Sequence, residues 1–351
     1  MTHDFDEYFR DARFLAQGVS GSVYRAVLNV DFNGIPAGTL VAVKLIDASL
    51  RISNQIDLKK EIDTLKILGR DGHQCSQYVL CYYGYIALYK GQSLHDAIVT
   101  EYIPGIPLGD YIKENSGLEY DPVTMKNVID YNVNDYMTDA QIGNTMRQLL
   151  LGLKYIHSHD VAHRDIKDDN IMYVPTTGTL KYIDFGLSCY RTNCRPSAEG
   201  TYFYMAPEIF RLGPMSYKYP GDGDKKNIEF FKKADIWSLG ITFYKLIYGK
   251  IPLEELEYEQ ELFFANLGGP YFEHTFPFTQ VSPVFINVIK GMIQYNPVNR
   301  KSIDELLSML NFISSYSLAA MGFPAVTVTE SRGNVVQYPG NYTSLAALGL
   351  L

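Results

Sequence analysis

The sequence predicts an α+β chain with its strands in front and its helices behind, and three observations carry that reading. Up to about residue 105 the apolar residues come in short runs with strand character; beyond residue 138 they recur at helical spacing; and Ile103-Pro104-Gly105-Ile106-Pro107 lies between the two regimes. At 351 residues the chain suits about two domains or one large bilobed unit.

The front strands are Val23-Tyr24-Arg25-Ala26-Val27, Leu40-Val41-Ala42-Val43-Lys44-Leu45-Ile46 and Ala97-Ile98-Val99-Thr100-Glu101-Tyr102. One helix interrupts them: Leu58, Ile62 and Leu65 recur at i, i+4 and i+7, Leu68 follows, and Gly69 supplies a stop. The back opens on Thr138-Asp139-Ala140-Gln141, a capping-box pattern, and Ile142, Met146, Leu149, Leu150, Leu153 and Ile156 form one apolar stripe. A second such helix carries Ile236, Leu239, Phe243, Leu246 and Ile247, and Gly249 closes it. Residues 115–137 and 211–233 read as inserted loops, the latter containing Pro220-Gly221-Asp222-Gly223-Asp224. Beyond about residue 312 the tail is apolar enough to pack back on the rest of the chain.

Composition removes several function classes. With 46% hydrophobic and 20% charged residues, collagen-like, disordered and coiled-coil readings fit poorly. A net charge of −8 argues against sequence-independent binding to nucleic acid or anionic lipid. No apolar run approaches the roughly 18 residues that cross a bilayer, and Met1-Thr2-His3-Asp4-Phe5-Asp6-Glu7 lacks the pattern of a signal peptide. An intracellular, cytoplasmic location is therefore expected, the host cytoplasm if the source is viral, and the sequon at Asn341-Tyr342-Thr343 goes unused. Cys75, Cys81, Cys189 and Cys194 read as free thiols, with a zinc site or a Cys189/Cys194 redox switch as the lesser alternatives. His157 and His159, two apart, make a poor metal pair. The 28 tyrosines, against 18 phenylalanines and one tryptophan, suit an amphipathic interior but name no function.

Three clusters carry chemistry. Gly18-Val19-Ser20-Gly21-Ser22-Val23 lies between two expected strands, where missing side chains let backbone amides approach a phosphate; alone it is weak, since glycine pairs between strands are usually just hairpin turns. Lys44 sits in a strand that looks buried on both faces, expensive unless a counter-charge is near, and Glu61 flanks the apolar stripe of the following helix. His163-Arg164-Asp165-Ile166-Lys167-Asp168-Asp169-Asn170 is followed by Ile183-Asp184-Phe185-Gly186. An Asp and an Asn five apart in a loop, with another Asp beyond a hairpin, can converge as oxygen ligands for magnesium and leave one carboxylate to orient a hydroxyl.

Together with Ala206-Pro207-Glu208, Asp235-Ile236-Trp237-Ser238-Leu239-Gly240 and Asn296-Pro297-Val298-Asn299-Arg300, these motifs stand in the order of the eukaryotic protein kinase family, which the chain resembles over roughly residues 10–312. The resemblance implies a bilobed fold: a small antiparallel β-sheet lobe with one helix over residues 1–103, a larger helical lobe over 104–312, and a tail over 313–351. It also implies roles. Lys44, held by Glu61, would pair the α- and β-phosphates of ATP; Asp184 and Asn170 would hold magnesium, with manganese as an alternative; Asp165 would accept the substrate hydroxyl proton; and Lys167 would neutralise the γ-phosphate. Ala42, Val23 and Met172 would sandwich the adenine, Thr100 would be the gatekeeper, the backbone of Glu101 and Ile103 would bond the adenine edge, and Asp110 would touch ribose. Arg300 would be the buried partner of Glu208. One departure is Ala16 in place of the phosphate loop's first glycine, which leaves Gly18 and Gly21.

Lys167, with Thr201 in Gly200-Thr201-Tyr202-Phe203-Tyr204-Met205, is similar to the Ser/Thr branch, so protein substrates with Ser or Thr acceptors are expected, with dual specificity as an alternative. Tyr202 stands where many members have Pro. Arg164 resembles the arginine of kinases ordered by a phosphate, for which Ser197 is the first candidate site and Thr192 the second. A pseudokinase scaffold would lose Lys44, Asp165 or Asp184, and a small-molecule kinase would lack Ala206-Pro207-Glu208 and Thr201; all are present. A monomer is the default.

Overall fold

The computed structural model describes the chain except residues 1–2, 19–20, 53–56, 70–74, 117–118, 122–125, 129–136, 192, 195–197, 211–223, 254–275, 277–280, 321–324, 330–334 and 340–351; residues 51–52, 119–121, 126–128, 224–227, 312–320, 325–329 and 335–339 are described by backbone alone. The front half builds one sheet from β1 (His3–Asp4), β2 (Phe9–Gln17), β3 (Ser22–Leu28), β4 (Leu40–Asp47), β5 (Tyr82–Lys90) and β6 (Ser93–Glu101), in the order β1-β5-β6-β4-β3-β2. The expected antiparallel sheet is thus extended: five strands are antiparallel, and β1 adds parallel to the outer edge of β5. Short helices α1 (Phe5–Tyr8) and α2 (Ala48–Ile52) join the expected one, α3 (Leu58–Gly69). Asp4 and Glu7 cap α1 reciprocally, which explains a helix of four residues that no apolar period announces.

Strand alternation then assigns each face. On β4, Val41, Val43 and Leu45 point into a small core with Phe5, Phe9, Leu28, Leu88, Ala97 and Val99, while Ala42 and Lys44 point the other way. The strand is therefore fully apolar on one face only, not on both, and Lys44 lies on the face that looks toward α3. Leu58, Ile62, Leu65 and Leu68 of α3 are buried in the main core together with Ile98 from the same side of β6.

The back half is helical. α4 (Leu108–Asn115) follows the short strand β7 (Ile106–Pro107); β8 (Glu119–Asp121) and β9 (Lys126–Val128) pair as a hairpin inside the segment expected to be a loop; and α5 (Asp139–Ser158) opens on the Thr138/Gln141 capping box. Strands β10 (Val161–Ala162), β11 (Ile171–Val174), β12 (Thr179–Tyr182) and β13 (Cys189–Tyr190) carry the polar loops between them. α6 (Pro207–Phe210) precedes α7, which runs from Asp224 to Tyr248 and ends at Gly249, whose φ of 70° suits the left-handed C-cap. The expected loop over 211–233 is corrected from Asp224 onward, where the chain is already helical. Its Pro220-Gly221-Asp222-Gly223 lies outside the described residues. α8 (Pro283–Met292) and α9 (Ile303–Ala320) complete the bundle, and the tail forms a hairpin of β14 (Ala325–Thr329) and β15 (Val335–Pro339), with β15 against α9.

Tyrosines tie these parts together. Tyr155 of α5 donates from its hydroxyl to the carbonyl of Leu68 at 2.7 Å, and Tyr182, fully buried, donates to the carbonyl of Leu149 at 2.9 Å. Their rings add to the core while their hydroxyls satisfy carbonyls at element ends, so part of the tyrosine excess has a structural use.

The free-thiol expectation is overturned: Cys75 bonds Cys81, Cys189 bonds Cys194, and neither the zinc site nor any free cysteine remains. Loop closure explains why spacing misled, since five- and six-residue separations suffice when a turn brings the Cα atoms to 4.9 and 5.3 Å. Each loop is short, and on the chain-entropy view each crosslink contributes on the order of 2 kcal/mol. Denatured without reductant, the protein should resist alkylation at all four cysteines, and after reduction intact mass should show four additions.

Candidate active site

Asp235, almost fully buried in α7, organises the loop that follows β10. Its Oδ1 accepts the backbone N–H of Arg164 at 2.8 Å, and its Oδ2 accepts that of His163 at 2.8 Å and contacts His157 Nε2 at 3.0 Å. Arg164 takes a positive φ of 68°, a conformation that Asp235's two bonds hold in place. Asp165 follows immediately. Its Oδ1 accepts both the backbone N–H and the hydroxyl of Thr201, at 2.9 and 2.7 Å, while its Oδ2 accepts from Asn170 Nδ2 at 2.9 Å and lies 3.5 Å from Lys167 Nζ. Lys167 also donates to the Thr201 hydroxyl at 2.7 Å, so Asp165, Lys167, Asn170 and Thr201 form one network. Gly200 passes so close that a Cβ there would sit 2.8 Å from the Arg164 carbonyl, at a φ of +125°, and glycine is required.

On β4, Lys44 Nζ reaches Glu61 Oε1 at 2.7 Å and Asp184 Oδ1 at 3.5 Å. Burial opposes the charge on Lys44, but Glu61 and Asp184 outweigh it and its pKa is raised. For Asp184, burial pushes toward protonation, yet Lys44 and the Gly186 N–H hold the carboxyl below its ordinary range. Asp184 also has a left-handed φ of 55° and so turns its side chain out of the strand path to face Lys44.

The nucleotide-side residues fall where the strands place them. Val23 pairs with Lys44 and Ala42 with Thr100 across the sheet, and Met172 lies opposite Pro107 in the lower sheet. The buried hydroxyl of Thr100 reaches the carbonyls of Ala42 and Glu101. At the linker the Glu101 N–H is spent on the Cys81 carbonyl and the Ile103 carbonyl on the Gly105 N–H. An adenine edge would therefore meet the Glu101 carbonyl and the Ile103 N–H. Asp110 sits in the first turn of α4. In the phosphate loop, Ala16 pairs with Val23, Gly18 bonds to the carbonyl of Gly21, and a Cβ on Gly21 would lie 2.2 Å from the Leu45 carbonyl; Val19 and Ser20 lie outside the described residues.

Asn170 spends its amide N–H groups on Asp165, leaving Oδ1 without a hydrogen bond among the described residues, and the same holds for Asp184 Oδ2. No cluster of three or more His, Cys, Asp or Glu side chains that could hold a metal occurs among the described residues. One carboxylate and one amide oxygen suit a magnesium ion whose other ligands are waters and substrate phosphates.

A family model described as "Protein kinase domain" matches residues 9–312. The chain belongs to the protein kinase family. Kinases similar to it include the serine/threonine-protein kinase dst2 of Dictyostelium discoideum, 31% identical over 307 residues, which are 86% of this chain and 22% of that protein. Serine/threonine-protein kinase ppk11 of Schizosaccharomyces pombe is 28% identical over 311 residues, 88% of this chain and 82% of its own length. Human mitogen-activated protein kinase kinase kinase 5 is 41% identical over 129 residues, 36% of this chain and 8% of that protein. The chain thus spans about a fifth of dst2 and less than a tenth of the human protein. Within the kinase fold, Glu208 and Arg300 form the expected buried pair, bidentate at 2.5 and 2.6 Å. Among the described residues, no helix is long and apolar enough to cross a membrane.

Asp235 opens one of the motifs quoted from the sequence, a charge embedded in Ala234-Asp235-Ile236-Trp237, and the structure adds its role as anchor of the loop after β10. Lys181, bonded to the side chain of Glu101 at 2.5 Å, and Glu199, paired with Arg164 at 3.1 Å, left no such signal. Ser197 and Thr192, the candidate phosphosites, lie outside the described residues.

Proposed function

We propose that the chain is a serine/threonine protein kinase that transfers the γ-phosphoryl group of ATP to hydroxyls of protein substrates. The observation that carries this reading is the network on Asp165, where Thr201, Asn170 and Lys167 orient one carboxylate beside the Lys44, Glu61 and Asp184 cluster. Asp165 would accept the hydroxyl proton as the acceptor oxygen attacks. Lys167, bridging Asp165 and Thr201, would offset charge on the transferred group, and Lys44, kept charged by Glu61 and Asp184, would hold the nucleotide phosphates. Asp184 and Asn170 would hold magnesium, or manganese in its place, which when bound neutralises charge on the phosphates. Thr201, bonded to both Asp165 and Lys167, supports the Ser/Thr over the Tyr assignment.

The reading includes the division at residues 103 and 312, a monomeric unit, no nucleic-acid partner and a cytoplasmic site. The two disulfides, uncommon in reducing compartments, are the observation that weighs against that location. Incubation with γ-labelled ATP, magnesium and a mixed Ser, Thr and Tyr peptide library should label Ser and Thr. Nucleotide binding without transfer would instead establish a scaffold or binding module, and labelled Tyr beside Ser and Thr a dual-specificity enzyme.

A further inference from the structure

Arg164 is the most buried cation at the site, with 4% of its side chain exposed, and its Nη2 lies 3.1 Å from Glu199 Oε2. Glu199 is 42% exposed and reaches inward from the segment that precedes Gly200 and Thr201. The guanidinium also stacks over Phe231 of α7, Cζ to ring centroid 4.4 Å, so aromatic and carboxylate contacts fix it from two directions. Burial lowers the pKa of Arg164, and the charges of Glu199 and Asp235 oppose that.

The geometry points to Glu199 as a positioning residue that orders the catalytic loop through Arg164, so that the acceptor network forms without a phosphate on this segment. The chain of contacts is short. Glu199 holds the Arg164 side chain, the Arg164 backbone precedes Asp165, and Thr201, two residues beyond Glu199, donates twice to Asp165. One ion pair thus closes a loop between the two strands of chain that meet at the carboxylate. Glu199 supplies the negative charge that the sequence reading assigned to phosphorylated Ser197 or Thr192. This inference rests on the kinase reading for its kinetic arm and on the fold alone for its structural arm.

The structural arm is amide hydrogen exchange on full-length protein stripped of phosphate by phosphatase and verified by intact mass. Glu199→Gln, which keeps shape and removes charge, should speed exchange over residues 199–205, whose Thr201 N–H is bonded to Asp165 in the wild type. In the kinetic arm, phosphate-free wild type should be active, and Glu199→Gln should lower kcat by about tenfold, a charge-assisted bond partly screened by solvent. KM for ATP should stay within about twofold, and Glu199→Asp, which restores the charge, should recover most of the loss. Wild-type exchange and kcat in Glu199→Gln would overturn the inference, as would a phosphate-free wild type that is inactive until segment phosphorylation restores it. If no state transfers phosphate, the kinase reading fails, and exchange alone still decides the role of Glu199.

Discussion

Replacing Asp165 with Asn is expected to reduce phosphoryl transfer by about 10³-fold, within the range that a positioned general base contributes, while KM for ATP changes little. The substitution is nearly isosteric but wrong in hydrogen-bond polarity. Asp165 presents acceptors on both oxygens, Oδ1 to two donors of Thr201 and Oδ2 to Asn170 and Lys167. An Asn has one oxygen, so its amide nitrogen must face donors on one side whichever way it turns. The proposed base is removed and the network is left one acceptor short. Steady-state kinetics with a Ser or Thr peptide, alongside a thermal melt, check both statements. Wild-type kcat in the variant would remove Asp165 from the role of base.

Arg300→Leu is expected to destabilise the fold by about 3–5 kcal/mol, the usual consequence of stripping one partner from a buried pair. Arg300 is buried, pairs both nitrogens with Glu208, and donates to the carbonyls of Gln294 and Lys233 at 2.9 Å each. It also lies over Trp237, 5.0 Å from the ring centroid. Its removal strips the Glu208 carboxylate of its guanidinium and the Gln294 and Lys233 carbonyls of the donors Arg300 supplies. Urea unfolding measures the loss, and the double variant Glu208→Gln, Arg300→Leu should lose less than the two single changes added together, because the uncompensated charge is gone.

Residues whose chemistry is unusual for their local pattern were legible in the sequence. Lys44 in an apolar strand, Glu61 on an apolar stripe and Thr138 with Gln141 at a helix start all stood out, and the structure brings each to the expected partner. What escaped was created by tertiary closure. Nothing near His3 and Asp4 announces a strand, because their pairing partners are Leu88 and Tyr89, far along the chain. Cys75 and Cys81 looked unrelated because no spacing rule encodes the turn that joins them. The start of α7 was hidden by Gly and Pro just upstream, although Lys232 and Lys233, at the end of the segment expected to be a loop, lie on that helix and donate to Glu229 and to the Arg300 carbonyl. Glu199 could not be distinguished from its neighbours until Arg164 was seen beside it.

The main-chain bonds between residues 78–80 and Tyr182 have a mechanical consequence. Tyr182 donates to the Tyr78 carbonyl at 2.8 Å and accepts from the Leu80 N–H at 3.0 Å, a short ladder between the two lobes. Glu101 adds a clasp on the same side, its carboxylate taking both the Cys81 N–H and Lys181. Pulling the two parts directly apart would break both of those bonds and the Glu101 clasp together, so any relative motion that keeps them must pivot at this edge.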